Sequence, residues 1–178
     1  MNHIALIPLL AFQPMLAISA QADTPAHWSF SEQTVMMMHE DPAIRMQAGL
    51  AACIGTTDGP ETAADTVAVF QSYGWTGGTW GELTELGYLT TTAFIADDNG
   101  FCEVNDFAVT TIAAKEVVNT LFQEAGIAEW AEVATGAGCI TFQGPQGRLI
   151  EINSGGGDPM CGDFQQSAIR VWNPEIKQ

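Results

Sequence analysis

The chain has 178 residues and a formal net charge of −16, because 21 Asp and Glu face only 5 Lys and Arg. So few cations cannot form the phosphate-neutralising surface of a nucleic-acid-binding protein, and they argue equally against docking on anionic lipid. Hydrophobic residues make up 47% of the sequence, which is enough to build a core and argues against disorder.

The first 22 residues have the pattern of a secretory signal peptide. Residues 4–18 are largely apolar but too short to span a bilayer, and the Ala-Gln-Ala sequence at 20–22 supplies the small residues that a signal peptidase requires. The segment has no Lys or Arg, which leaves a retained anchor or a fortuitous apolar start as alternatives. We expect a signal peptide over 1–22 and a single globular exported domain over 23–178, with no stable membrane insertion after cleavage.

The first predicted helix follows an irregular N-terminal segment over 23–40. Asp41 supplies an N-cap and Pro42 a first-turn proline, and apolar residues then recur at steps of three and four. The pattern places Cys53 at the inward-facing end of the helix and predicts that Gly55 terminates it.

A second helix and then a glycine-rich segment come next. The Thr-Asp pair at 57–58 offers an N-cap, Pro60 is the predicted first residue, and Gly74 is the predicted end. Between 75 and 87, glycines are spaced among tryptophans, and we expect a loop with one short helix over 81–86.

Two strands are predicted over 89–96 and 101–104. They are joined by Asp-Asp-Asn-Gly at 97–100, a strong hairpin turn because Asn and Gly tolerate positive φ. Three consecutive threonines at 90–92 favour the first strand.

The third helix is the most clearly amphipathic element. Thr110 or Thr111 is the predicted N-cap and Gly126 the end. The residues between them place a continuous apolar face on one side, formed by Ala114, Val117, Val118, Leu121, Phe122 and Ala125. We expect this face to pack against the sheet.

The last third of the chain is predicted to be β-structure. Strands over 139–142 and 148–153 flank a Gly-Pro-Gln-Gly turn, and a third strand covers 168–172. The residues expected to point inward at a period of two are Ile140, Phe142, Ile150, Ile152, Ile169 and Val171. The predicted fold is α+β, in the order ααββαβββ: an N-terminal helix pair plus an antiparallel sheet with one packed amphipathic helix.

The cysteines are predicted to form a disulfide framework. Cys53, Cys102, Cys139 and Cys161 are an even set without CxxC or zinc-site spacing, as expected for two disulfides in an exported chain. Of three pairings we favour Cys53–Cys102, which would tie a helix to a strand, and Cys139–Cys161, which would clamp the glycine-rich loop after the hairpin. The alternative is a reactive Cys161, although no neighbouring base is visible.

The sequence lacks the local motifs of common enzymes. It has no GxSxG, HExxH, Walker A, GxGxxG or EF-hand pattern, and the histidines after the leader, His27 and His39, both fall in the irregular N-terminal segment. No catalytic residue is therefore assigned, and no cofactor is predicted.

Two segments raise the hypothesis of a metal site. Met-Met-Met-His at 36–39 combines thioethers with an imidazole, which are ligands that Cu(I) favours. The acidic turn at 97–100, with Glu103 and Asp106 nearby, offers oxygen ligands for Ca²⁺. In both cases we favour the plainer interpretation, which is apolar packing for the methionines and a hairpin turn for the acids.

Two further segments suggest ligand contacts. Residues 154–158 with Asp163 would form a flexible ligand loop, although the surrounding acids would repel a phosphate and a connection pinned by a disulfide explains the glycines. Tyr73, Trp75 and Trp80 would stack on sugar or peptide, or else would line the rim of the core.

These features favour a non-catalytic exported accessory or binding protein of the bacterial cell envelope, in the periplasm or outside the cell. Its acidic surface would suit either a basic protein partner or a saline or cation-rich exterior. The alternatives are a small envelope hydrolase that uses carboxylates, with Asp158, Asp163 or Glu103 as candidates, and a weak copper- or calcium-binding protein. A concave pocket in which two carboxylates converge would favour the enzyme.

Overall fold

The computed structural model describes residues 36–58, 62–98, 100–134, 138–156 and 160–173 of the chain. Within these ranges the helices include α1 (Pro42–Asp58), α2 (Ala63–Ser72), α3 (Thr111–Glu124) and a one-turn 3-10 helix (Pro145–Gly147). The strands are β1 (Thr76–Trp80), β2 (Leu83–Tyr88), β3 (Thr91–Ala96), β4 (Phe101–Asp106), β5 (Ala131–Val133), β6 (Ile140–Gln143), β7 (Leu149–Asn153) and β8 (Ser167–Trp172). The fold is α+β with a helix pair before the sheet, as predicted.

All eight strands form one antiparallel sheet in the order β1-β2-β3-β4-β8-β7-β6-β5. Each half of the sheet is a four-stranded meander, and a helix precedes each meander in the chain. The last strands of the two halves, β4 and β8, pair at the centre, where Phe101 lies opposite Trp172 and Asp106 opposite Ser167. The strand order therefore has approximate two-fold symmetry, which no repeat in the sequence indicated.

The helices form a layer on one face of the sheet. Helix α1 approaches β4 closely because Gly49 has no side chain, and a Cβ there would lie 2.8 Å from a methyl group of Val104. The amphipathic face of α3 is buried as predicted, and the strand residues expected to point inward are buried beneath the helices, apart from the half-buried Ile140. Side chains of the helices and of this sheet face make one continuous core.

The glycine-rich segment after α2 is a hairpin, so the expected loop with a short helix over 81–86 is wrong. Thr84 and Leu86 point toward the helix layer while Glu85 points away, which is the period of a strand. Gly81 makes the turn at a φ of 66°. The buried Trp75 anchors the start of the hairpin by packing edge-on against Phe70 at 4.7 Å between ring centroids.

The geometry of the hairpin predicts that replacing its two adjacent glycines by alanine has different effects on the free energy of unfolding. A Cβ at Gly77 would lie 1.8 Å from the backbone oxygen of Glu85, whereas a Cβ at Gly78 would meet nothing within 4 Å. We expect Gly77→Ala to lower the free energy of unfolding by about 1–3 kcal/mol because the backbone must shift, and Gly78→Ala to change it by less than about 0.5 kcal/mol. Urea unfolding of both variants measures this; equal losses would contradict the hairpin geometry.

Helix α1 runs past its predicted end. It continues through Gly55 to Asp58, and the hydroxyls of Thr56 and Thr57 donate to carbonyls one turn earlier, those of Ala52 and Cys53. The helix interior therefore tolerates this glycine.

Helix α2 has Thr62 as its N-cap, whereas the predicted start at Pro60 lies outside the described residues. Thr62 and Asp65 form a capping box, in which the Thr62 hydroxyl oxygen accepts from the backbone N–H of Asp65 and the Asp65 carboxylate accepts from the Thr62 backbone N–H. The carboxylate also accepts from the Thr62 hydroxyl. The hydrogen bonds from the Thr62 hydroxyl and backbone N–H hold the pKa of the Asp65 carboxyl below its usual value. Their contribution to stability is therefore fully present at a pH above the pKa that Asp65 has in the unfolded chain, and it is lost as the pH falls through the lower pKa of the folded protein.

The start of β3 and the presence of β5 also differ from the prediction. Strand β3 begins at Thr91, because Leu89 adopts a φ of 54° in the preceding turn. The short edge strand β5 was not predicted, since its three residues carry too little pattern. Among the described helices, none is long and apolar enough to cross a membrane.

Candidate functional site

Both predicted disulfides are present. Cys53 on α1 bonds to Cys102 on β4, with 5.2 Å between their Cα atoms, and this bond joins the helix layer to the centre of the sheet. Cys139, just before β6, bonds to Cys161 in the connection after β7, with 4.4 Å between Cα atoms. Cys161 is therefore not a free nucleophile.

A buried ion pair links α1 to the sheet. Arg45 and Asp106 are each 1% exposed, and the closest guanidinium nitrogen and carboxylate oxygen are 3.6 Å apart. Arg45 donates to the hydroxyls of Thr90 and Thr91 and to the carbonyls of His39 and Glu40. Asp106 accepts from both threonine hydroxyls as well as from the backbone N–H of Ala108. So many internal partners indicate a structural role.

The methionine segment does not converge on one point. Met37 is fully buried in the core, Met36 packs against it half-buried, and Met38 is 50% exposed. His39 is exposed, and its Nδ1 accepts a hydrogen bond from the backbone N–H of Asp41. These positions support the packing interpretation over the copper hypothesis.

The acids of the calcium hypothesis lie apart. Asp98 accepts from the backbone N–H of Gly100 in the β3–β4 turn. Glu103 and Asp106 both lie on β4, but Glu103 pairs with Arg170 and Asp106 pairs with Arg45. Across the described ranges, no group of three or more His, Cys, Asp or Glu side chains is placed to hold a metal ion.

The carboxylates proposed for a hydrolase are not brought together. Glu103 accepts from Arg170, with Oε2 2.8 Å from Nε and 2.7 Å from the nearest terminal nitrogen. Asp163 is exposed in the connection before β8, and Asp158 lies outside the described residues. In the same connection, the backbone N–H of the buried Ser154 donates to the carbonyl of Met160.

The predicted aromatic stacking surface is also divided. Trp75 is a core residue, with Tyr88 stacked on it at 6.0 Å between ring centroids, and Tyr73 packs against the core. Trp80 alone of the three is open to solvent, at 73% exposure.

The described helices leave the opposite face of the sheet uncovered, and we call it the second face. The side chains of directly opposite residues on neighbouring strands point to the same face of the sheet, so the strand register shows which side chains lie on the second face. Its apolar band consists of one residue from each of six neighbouring strands, in spatial order Trp80, Leu83, Ala96, Phe101, Trp172 and Leu149. Beyond Trp80 the members are half-buried.

Carboxylates border this apolar band on both sides. On one side, the next row along the strands contains, in spatial order, Glu85, Phe94, Glu103, Arg170 and Glu151. On the other side, the β1–β2 and β3–β4 turns contribute Glu82 and Asp98. The guanidinium of Arg170 is bound to Glu103 and lies 5.2 Å from the centre of the Phe101 ring.

A cavity of about 490 Å³ lies over the middle of the band. Its lining is formed by Glu82, Leu83, Ala96, Asp98, Phe101, Arg170 and Trp172. Two carboxylates thus stand at the edge of an aromatic and aliphatic floor, and both are exposed.

Three buried polar atoms on the second face have no hydrogen-bond partner within the part of the chain that is described. They are Oδ1 of Asn105, Nδ2 of Asn153 and Nε1 of Trp172. Buried polar groups are normally paired, so this face holds hydrogen-bonding capacity that the described residues do not use.

Comparison with known proteins found no matching family model, no similar curated protein and no similar solved structure. The site therefore has to be interpreted from its own residues.

Sequence reasoning missed the second face as a site. Its members are single residues from strands that lie far apart in the chain, so no local motif marks them. The available signal was the outward half of each period-two strand, in which apolar residues such as Leu83 and Phe101 alternate with the core positions.

Proposed function

We propose that this chain is a non-catalytic exported binding protein of the bacterial cell envelope, and that it holds a protein partner on the second face. The observation that carries the proposal is the apolar band, which crosses six strands without cover from any described helix. An apolar surface patch bordered by polar residues is typical of protein-binding sites.

An oxidising compartment suits the disulfides. Such bonds persist in the periplasm and outside the cell and are rare where thiols are kept reduced. Together with the signal-like leader over residues 1–22, the Cys53–Cys102 and Cys139–Cys161 bonds support export.

A carboxylate hydrolase is the second candidate, because Glu82 and Asp98 both line the cavity. Both side chains are exposed on turns, however, whereas catalytic acids and bases gain strength from a site that excludes water. Binding is therefore the function that this geometry favours.

Site-specific photocrosslinking tests the proposal. A photoreactive amino acid replaces Leu83 in the apolar band or, as a control, Glu116, which is exposed on α3 in the helix layer. We expect a discrete crosslinked protein in the envelope fraction from the Leu83 position and none from the Glu116 position. Identical products from both positions, or none from Leu83, would overturn the proposal.

The hydrolase alternative has its own measurement. Wild-type protein and the Glu82→Gln/Asp98→Asn variant are compared on peptide, ester and glycan substrates. We expect no turnover by either protein. Turnover by the wild type that the double variant loses would establish the enzyme and refute a non-catalytic role.

A further inference from the structure

From the second face we infer the kind of partner as well: a cationic amphipathic helix that lies across the strands along the apolar band. This inference rests on the proposed binding function and specifies its ligand. The band and its two acidic borders carry it, since together they define a length, a width and a charge pattern.

The length of the band matches a helix of ordinary size. Six neighbouring strands leave five gaps of about 4.8 Å, so the band is about 24 Å long. At a rise of about 1.5 Å per residue, a helix of about 16 residues has this length. Trp80 marks one end and Leu149 the other.

The two borders distinguish a helix from an extended segment. Side chains of an extended strand alternate between facing the surface and facing away, so they cannot flank an apolar row with charge on both sides. An amphipathic helix presents an apolar stripe with polar residues along both of its edges. Glu82 and Asp98 on one side, and Glu85 and Glu151 on the other, are placed to meet Lys or Arg at those edges.

Charge decides between the occupants of this face. Five border carboxylates accompany one border guanidinium, that of Arg170, so docking a second copy on the same face would bring acidic rows together. Residues 1–35 contain no Lys or Arg, and residues 174–178 contain one Lys. A separate cationic partner is the occupant that complements the borders.

Binding of designed peptides tests this inference with the full-length oxidised protein. The probe is a 16-residue helical peptide of Leu and Lys, with Lys along both edges of a Leu stripe; the comparison peptide has Glu in place of every Lys. Isothermal titration calorimetry measures affinity, and a change in tryptophan fluorescence that is lost in Trp80→Ala reports on contact with the band. We expect the Lys peptide to bind and the Glu peptide not to bind, whereas equal binding of both would overturn the inference.

Two matched variants separate site binding from general attraction to an acidic protein. Glu82→Gln/Asp98→Asn and Glu116→Gln/Glu129→Gln carry the same net charge, but only the first pair borders the band. We expect the first variant to weaken binding of the Lys peptide about tenfold and the second less than about twofold. Equal weakening by both variants would contradict a site on the second face.

A substitution at the exposed end of the band tests the apolar contact with the peptide without changing the core. Trp80→Ala removes a side chain that is 73% exposed, and we expect it to weaken the Lys peptide at least about threefold. An unchanged affinity would contradict contact with the band. If crosslinking from Leu83 captures a partner whose contacting segment is acidic or uncharged, this inference fails while the proposed binding function stands.

Discussion

Replacing both Cys53 and Cys102 by alanine is expected to lower the free energy of unfolding by about 4 kcal/mol. The bond closes a loop between residues 49 positions apart, so its loss greatly increases the conformational freedom of the unfolded chain. Both cysteines are fully buried where α1 meets β4, and the smaller alanines also leave unfilled volume there. Urea unfolding monitored by fluorescence measures the change.

The second disulfide is the matched control for the first. Cys139 and Cys161 are 22 positions apart, and the same loop-entropy relation gives a loss of about 3 kcal/mol when both become alanine. This bond holds a surface connection rather than the centre of the sheet. We therefore expect the first pair to be the more costly, and a larger loss from the second would show that loop length and burial do not govern the effect.

The local signals that predicted the elements were those with a short-range physical cause. Pro42 started α1 as expected, and Thr110 caps α3 by accepting from the backbone N–H of Ala113. The acidic turn at 97–100 joins β3 to β4, and the paired isoleucines of β7 point into the core. Such features depend only on neighbouring residues, and the sequence displays them directly.

The first hairpin shows where this reasoning fails. Gly77 and Gly78 weaken strand propensity, and only the pairing of β1 with β2 makes the segment extended. That pairing depends on Trp75 entering the core beside Phe70, a tertiary contact that the local sequence does not reveal.

The same reason explains why the candidate site could not be predicted. Phe101 and Trp172 are 71 positions apart in the sequence but directly opposite in the β4–β8 register. Their contact follows from the pairing of the two meanders at the centre of the sheet, and the sequence shows no repeat that would have announced this symmetry. The sequence indicates which strand each side chain belongs to, but it does not indicate which strands pair and therefore which side chains become neighbours.

Replacing Arg45 by methionine is expected to lower the free energy of unfolding by about 3–5 kcal/mol. The change leaves the carboxylate of Asp106 buried without its cationic partner, and it removes four hydrogen bonds, to Thr90, Thr91, His39 and Glu40. Methionine keeps most of the side-chain length, so the loss reports on charge and hydrogen bonding rather than on volume.

Two further variants test whether the unpaired buried charge causes the loss of stability in Arg45→Met. Lys115→Met removes an ion pair with Glu132 in which the side chains are 32% and 51% exposed, and it should cost less than about 1 kcal/mol. Arg45→Met/Asp106→Leu removes both buried charges, and it should be more stable than Arg45→Met because no unpaired carboxylate remains. If the double variant is instead the less stable, the hydrogen bonds of Asp106 to Thr90, Thr91 and Ala108 outweigh the burial of its unpaired charge.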